Sequence, residues 1–116
     1  MNSRVSRISA LAATLGAAWL TAAAPAHAFD AEAAQALAKK NDCLKCHAVD
    51  KEKKGPSYKK IAAKLKGKPD GEAEAIKNIT TGPKVKLDDG TEEEHKIIKT
   101  KDEAAIKNLV QWILAQ

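Results

Sequence analysis

The chain predicts an all-α domain, and three observations carry that prediction. In a middle segment, Tyr58, Ile61, Ala62 and Leu65 recur at i, i+3, i+4 and i+7. In the C-terminal segment, Ile106, Leu109, Val110, Ile113 and Leu114 continue the same pattern to i+8. Both have the period of a helix with one buried face. The third observation is an Ala-rich stretch from Ala31 to Lys40, preceded by Asp30, with Glu32 early and Lys39-Lys40 late. That charge order complements a helix dipole.

In chain order, residues 1–28 read as a secretory signal peptide. Arg4 and Arg7 supply the positive start, Ile8 to Ala24 is an apolar run of 17 residues, and Pro25 breaks it. Ala26-His27-Ala28 then has the small-x-small form of a cleavage site. An uncleaved anchor is the alternative, but 17 Ala-heavy residues lie at the short limit for a span. Val5 and Ser6 separate the two arginines, so no twin-arginine pair directs folded export. The chain is expected to cross the membrane unfolded and mature in the periplasm.

The mature domain is then residues 29–116, which leaves 88 of the 116 residues. A domain of that size buries a limited share of its surface and often needs a staple. Its aromatic filling is Phe29, Tyr58 and Trp112 alone. Multidomain enzymes and long coiled coils do not fit in this length, and two Cys make one bridge at most. A small core with so little filling calls for something extra inside it.

Asp30 caps the first predicted helix, over 31–40, and Asn41-Asp42 stops it. Gly55-Pro56 marks a turn into a second helix over 57–66, closed by Gly67. Pro69-Asp70-Gly71 leads to a short third helix from Glu72 to about Ile79, with Gly82-Pro83 beyond it. The last helix opens on Thr100 and Glu103, a capping-box pattern. Between Pro83 and Lys99 lies a long stretch with little helical character. Asp89-Gly90 would turn a small hairpin there, between Val85-Lys86-Leu87 and the Ile97-Ile98 region. Loops this long in compact domains are often functional.

Cys43-Leu44-Lys45-Cys46-His47 is a C-x-x-C-H run, the signature of covalent c-type haem attachment. Two thiols one helical turn apart can each add to a vinyl group on one porphyrin edge, and the next residue, His47, can then reach the iron. Such a haem would supply the apolar body the core lacks. Three other readings compete. A thioredoxin-like pair needs a βαβ setting, and no strand pattern precedes Cys43. A zinc site lacks a second C-x-x-C or a spaced His pair. An ordinary disulfide suits an exported protein.

On these residues the mature chain resembles a small bacterial class I c-type cytochrome over essentially residues 29–116. The likeness covers the short first helix, the C-x-x-C-H run, Gly55-Pro56, a Gly-bearing turn after a middle helix, and a last helix carrying Trp112. It implies a cytochrome c-like bundle of about four short helices around one covalent haem c, with a long distal loop. By the resemblance, the first and last helices cross with Leu37 and Trp112 near the contact. It also implies that the carbonyl of Pro56 takes a hydrogen bond from His47 and fixes its tautomer. Tyr58 would line the pocket or reach a propionate, although core filling explains it as well. Gly55-Pro56 likewise reads as a simple turn.

The chain departs from the family at the second axial ligand, usually a Met in the long loop. Its single Met is Met1, in the signal, so Met/His ligation is excluded for the mature chain. The loop holds His95 instead, the only mature His besides His47. His is a common haem ligand, and Ile97-Ile98 draws the segment inward. The polar neighbours Glu92, Glu93, Glu94 and Lys96 favour a surface His. Asn78, Lys84, Lys86, or an open or water-bound site are the other options.

The mature chain has 18 Lys against 15 acidic residues. Eight of these lysines lie between Lys51 and Lys68, against Asp50 and Glu52. They read as a soluble surface that can also steer acidic redox partners to an exposed haem edge. Nucleic acid is not expected, since aromatic stacking residues are missing, and a membrane is expected to matter only through redox complexes. No acid–base pair or nucleophile stands out, so no enzyme is expected. The leading function is electron transfer in the periplasm with bis-His ligation. The alternatives are a gas-binding haem protein for NO, CO or O₂ with a labile sixth position, and a haem subunit of a larger oxidoreductase.

Overall fold

The computed structural model describes residues 29–116; the export signal read in residues 1–28 lies outside the described residues. The elements are α1 (Ala31–Lys40), α2 (Cys43–Cys46), α3 (Tyr58–Leu65), α4 (Gly71–Thr81), β1 (Lys84–Lys86), β2 (Glu92–Glu94) and α5 (Glu103–Leu114). The fold is all-α apart from one small hairpin.

Asp30 caps α1 as expected, its side chain accepting from the Ala33 amide at 3.0 Å. The helix stops where Asn41 turns its side-chain amide back onto Leu37 O at 2.9 Å. Asp42 then takes the left-handed conformation, φ 60°, which Asp tolerates better than most residues. That break makes the C-x-x-C run a separate one-turn helix rather than the end of the first, so the described residues form five helices where about four were expected.

α1 lies across α5. Ala34 and Ala38 are fully buried in the contact, small enough to let the two helices approach closely. Leu37 packs against the same core, which also holds Trp112, Leu109, Ile106 and Ile113. Asn108 of α5 pins the start of the domain, accepting from Asp30 N at 2.6 Å and donating to Asp30 O at 2.9 Å. A second, smaller cluster of Leu65, Ala75 and Val110 joins α3 and α4 to α5.

Three local expectations are corrected. The third predicted helix runs on from Ile79 to Thr81, because Thr80 and Thr81 each bond back through the hydroxyl to Ile76 O and Lys77 O at 2.7 Å. The α5 cap is Asp102, whose carboxylate accepts from the Ala104 and Ala105 amides at 3.0 and 3.2 Å. Thr100 serves one step earlier, accepting from Asp102 N at 3.1 Å. The hairpin turns through Asp89-Gly90 as foreseen, but Lys84, Val85 and Lys86 pair with Glu94, Glu93 and Glu92, not with the Ile97-Ile98 region. Alternating Lys–Glu pairs across the strands explain that register, and Ile98 instead enters the main core.

Candidate functional site

A cleft of about 660 Å³ opens between α2, α3, α4, α5 and the hairpin. Its inner wall is apolar, formed by Leu65, Ile79, Leu109, Val110 and Ile113. Cys43, Cys46, His47, Pro56, Tyr58 and His95 all line it. Four of these residues come from the stretch 43–56, and His95 comes from the far side of the hairpin.

The single turn of α2 sets Cys43 and Cys46 on one side, and both thiols are free. Burial pushes the Cys43 thiol above its ordinary pKa. Among the described residues, no group of three or more His, Cys, Asp and Glu is arranged to hold a bare metal ion, so a zinc set is not assembled. Among the described residues no βαβ unit is present either.

His47 follows α2 in an extended conformation, its amide donating to Cys43 O at 3.0 Å. The loop beyond it folds back, with Gly55 N on Cys46 O at 2.8 Å and Tyr58 N on Ala48 O at 2.9 Å. This return brings Pro56 O to 2.6 Å from His47 Nδ1. A carbonyl can only accept, so Nδ1 carries the hydrogen and Nε2 is left bare. Burial holds the His47 pKa below its ordinary value, with the Pro56 bond opposing and His95 adding to the fall. The ring is thus kept neutral, the form a metal needs.

His95 stands opposite. The two ring centres are 6.1 Å apart and the planes are inclined by 35°. Its Nδ1 donates to Lys96 O at 2.9 Å, so Nε2 is the ring nitrogen left for another partner. Gly82 makes room for this segment: its φ is +64°, and a Cβ there would meet His95 O at 2.9 Å. Of the other residues considered for this position, Asn78 and Lys86 also line the cleft, while Lys84 is exposed on β1.

Tyr58 stacks on His47 with ring centres 5.5 Å apart. Trp112 packs edge-on behind Tyr58 at 5.4 Å, one layer back from the cleft wall. Burial raises the Tyr58 pKa, and its hydroxyl has no hydrogen-bond partner among the described residues. A buried hydroxyl facing a cleft suits a guest with an acceptor group. Free thiols, bare imidazole nitrogens, an apolar wall and this hydroxyl together fit a porphyrin carrying iron and carboxylates.

A family model for cytochrome c matches residues 31–116. The chain belongs to the cytochrome c family. It is similar to cytochrome c-551 of Pseudomonas aeruginosa, 42% identical over 52 residues, which are 45% of this chain and 50% of that one. Cytochrome c-551 of Pseudomonas denitrificans is 42% identical over 48 residues, 41% of this chain and 58% of that one. The chain thus aligns with little more than half the length of these relatives. Among solved structures, the class 1 cytochrome MtoD of Sideroxydans lithotrophicus ES-1 has a TM-score of 0.72 and 59% identity, covering 76% of this chain and 97% of that one. Cytochrome c552 of Nitrosomonas europaea has a TM-score of 0.54 and 32% identity, covering 69% of this chain and 95% of that one. The protein is a small class I c-type cytochrome with one covalently bound haem c. Among the described residues, no helix is long and apolar enough to cross a membrane.

Sequence reasoning missed two supports of this cytochrome's site. Gly55 reads as a turn residue, yet a Cβ there would lie 2.7 Å from His47 Cε1. Asn41 reads as a helix stop, yet its buried side chain also accepts from Lys99 N at 2.9 Å and ties the end of the long loop to α1. Neither contact leaves a local pattern.

Proposed function

We propose that this cytochrome is an exported periplasmic electron carrier whose iron is held by His47 and His95. The facing imidazoles carry the reading. A metal held between His47 and His95, at about 2.0 Å per metal–nitrogen bond and about 1.1 Å from nitrogen to ring centre, would need ring centres about 6.2 Å apart. The ring centres stand at 6.1 Å. In this reading Cys43 and Cys46 form the thioethers, and Nε2 of each His is the donor. The haem supplies one-electron exchange between Fe(III) and Fe(II).

The protein's own residues keep that exchange simple. Pro56 O and Lys96 O hold the two rings in one tautomer each, so neither ligand has to reorient or release a proton when the charge on iron changes. The apolar wall limits water around the iron. The test is a pair of visible spectra, oxidised and reduced, with and without CO. Low-spin spectra in both states that CO changes only slowly support the carrier. A five-coordinate ferrous haem that takes CO at once moves the function to gas binding.

Partners are redox proteins with acidic surfaces. Inside the lysine-rich stretch, Lys54, Lys59, Lys60 and Lys68 are paired with Glu93, Asp50, Glu52 and Glu74. Lys53 donates to Leu44 O at 2.7 Å. Steering therefore falls to Lys51, Lys64 and Lys66, which form none of these pairs. Electron-transfer rates with an acidic partner should fall with ionic strength, and Lys64→Glu with Lys66→Glu should flatten that fall. A rate indifferent to both would leave these lysines to solvation.

A further inference from the structure

The hairpin that leads to His95 borders the cleft instead of packing on a helix. β1 and β2 lie against each other and against none of the helices. Every residue of β2 is exposed. On its own side the arm is tied by His95 N to Pro83 O at 2.9 Å.

Two ion pairs tie it across the cleft. Glu93, two residues before His95, meets Lys54 at 2.5 Å. Lys96, the residue after His95, meets Asp42 at 3.7 Å. The far ends are equally placed: Asp42 immediately precedes Cys43, and Lys54 immediately precedes Gly55-Pro56, whose carbonyl takes the His47 hydrogen. Each pair therefore joins a neighbour of His95 to a neighbour of the haem-attachment side. Their polarity is opposite, the arm giving one acid and one base. A reversed seating would set Glu93 against Asp42 and Lys96 against Lys54, like against like.

We propose that Lys54 and Asp42 are positioning residues for the distal ligand: with Glu93 and Lys96 they strap the arm over the cleft and set how readily His95 gives way. The inference rests on His95 as the sixth ligand. The four side chains are about half exposed, between 47% and 59%. Such pairs hold weakly and are screened by salt, so ligand exchange at the iron becomes sensitive to ionic strength.

The experiment follows CO replacing the distal ligand in the reduced holoprotein by stopped flow, at low and high salt. Asp42 also holds Lys45 at 3.1 Å, so its strap is cut at Lys96. Lys54→Gln with Lys96→Gln should exchange about threefold to tenfold faster than wild type at low salt, with low-spin spectra unchanged. Wild type should approach that rate as salt rises. The charge swap Lys54→Glu with Glu93→Lys should restore slow exchange. A double variant at the wild-type rate, or a swap that fails to restore it, overturns the straps. His95→Ala separates the two readings. If it speeds exchange while cutting the straps does not, only the straps fall; if it changes nothing, the ligation falls and the straps with it.

Discussion

Gly55 presses its bare α-carbon against the His47 ring: a Cβ there would stand 2.7 Å from Cε1 and 3.1 Å from Nδ1. The missing side chain is what lets the loop return closely enough for Pro56 O to reach Nδ1. Gly55→Ala should therefore push the ring or the loop away and weaken that hydrogen bond. Overpacking of this kind costs about 1–3 kcal/mol. The check is the denaturant midpoint of the holoprotein; an unchanged midpoint would show that the loop yields freely.

The haem should be inseparable from the chain under denaturing conditions. Intact mass should equal residues 29–116 plus one haem, and haem staining should survive a denaturing gel. With both Cys43→Ala and Cys46→Ala the stain should disappear. A bare polypeptide with a Cys43–Cys46 disulfide would contradict covalent attachment.

His95→Met should raise the reduction potential, since a thioether favours the ferrous state more than an imidazole does. His95→Ala should convert the reduced protein to a species that binds CO readily. Voltammetry reads the first outcome and the CO difference spectrum the second. A potential that ignores both substitutions would remove His95 from the iron.

Burial raises the Tyr58 pKa above its ordinary 10.0. The folded chain therefore keeps the phenolic proton at pH values where the unfolded chain has lost it. Tyr58 contributes this stability fully below about pH 10 and loses it as pH rises from there. Wild-type stability should decline above pH 10, and Tyr58→Phe should decline less. Urea midpoints measured across that range decide it; parallel curves would assign the loss to other groups.

Much of this cytochrome was legible in the sequence, because its signals are local. Helix caps, periodic apolar faces and the five residues from Cys43 to His47 act through neighbours within a turn or two. Asp30 and Ser57 cap their helices as side chains of their type do, and Ile106, Leu109, Val110 and Ile113 fall on the buried face that their helical period assigns. Local signals failed where two of them competed. Thr100 and Asp102 both suit a cap, and the carboxylate that reaches two amides took it. Glu92, Glu93 and Glu94 are exposed, as so charged a run implies, but only the strand register sets Lys84 and Lys86 beside them.

Residue types alone determined that residues 29–116 have two thiols at haem-attachment spacing, two histidines and no methionine. They could not say whether the second histidine turns inward, since its neighbours in sequence are charged and a local reading puts it in water. Chain closure settled its orientation. The left-handed Gly82, the Lys–Glu ladder and the Lys54 and Asp42 pairs bring His95 opposite a ring 48 positions earlier in the chain. Ion pairs and strand register couple residues that the chain holds far apart, and no periodicity within one segment records them.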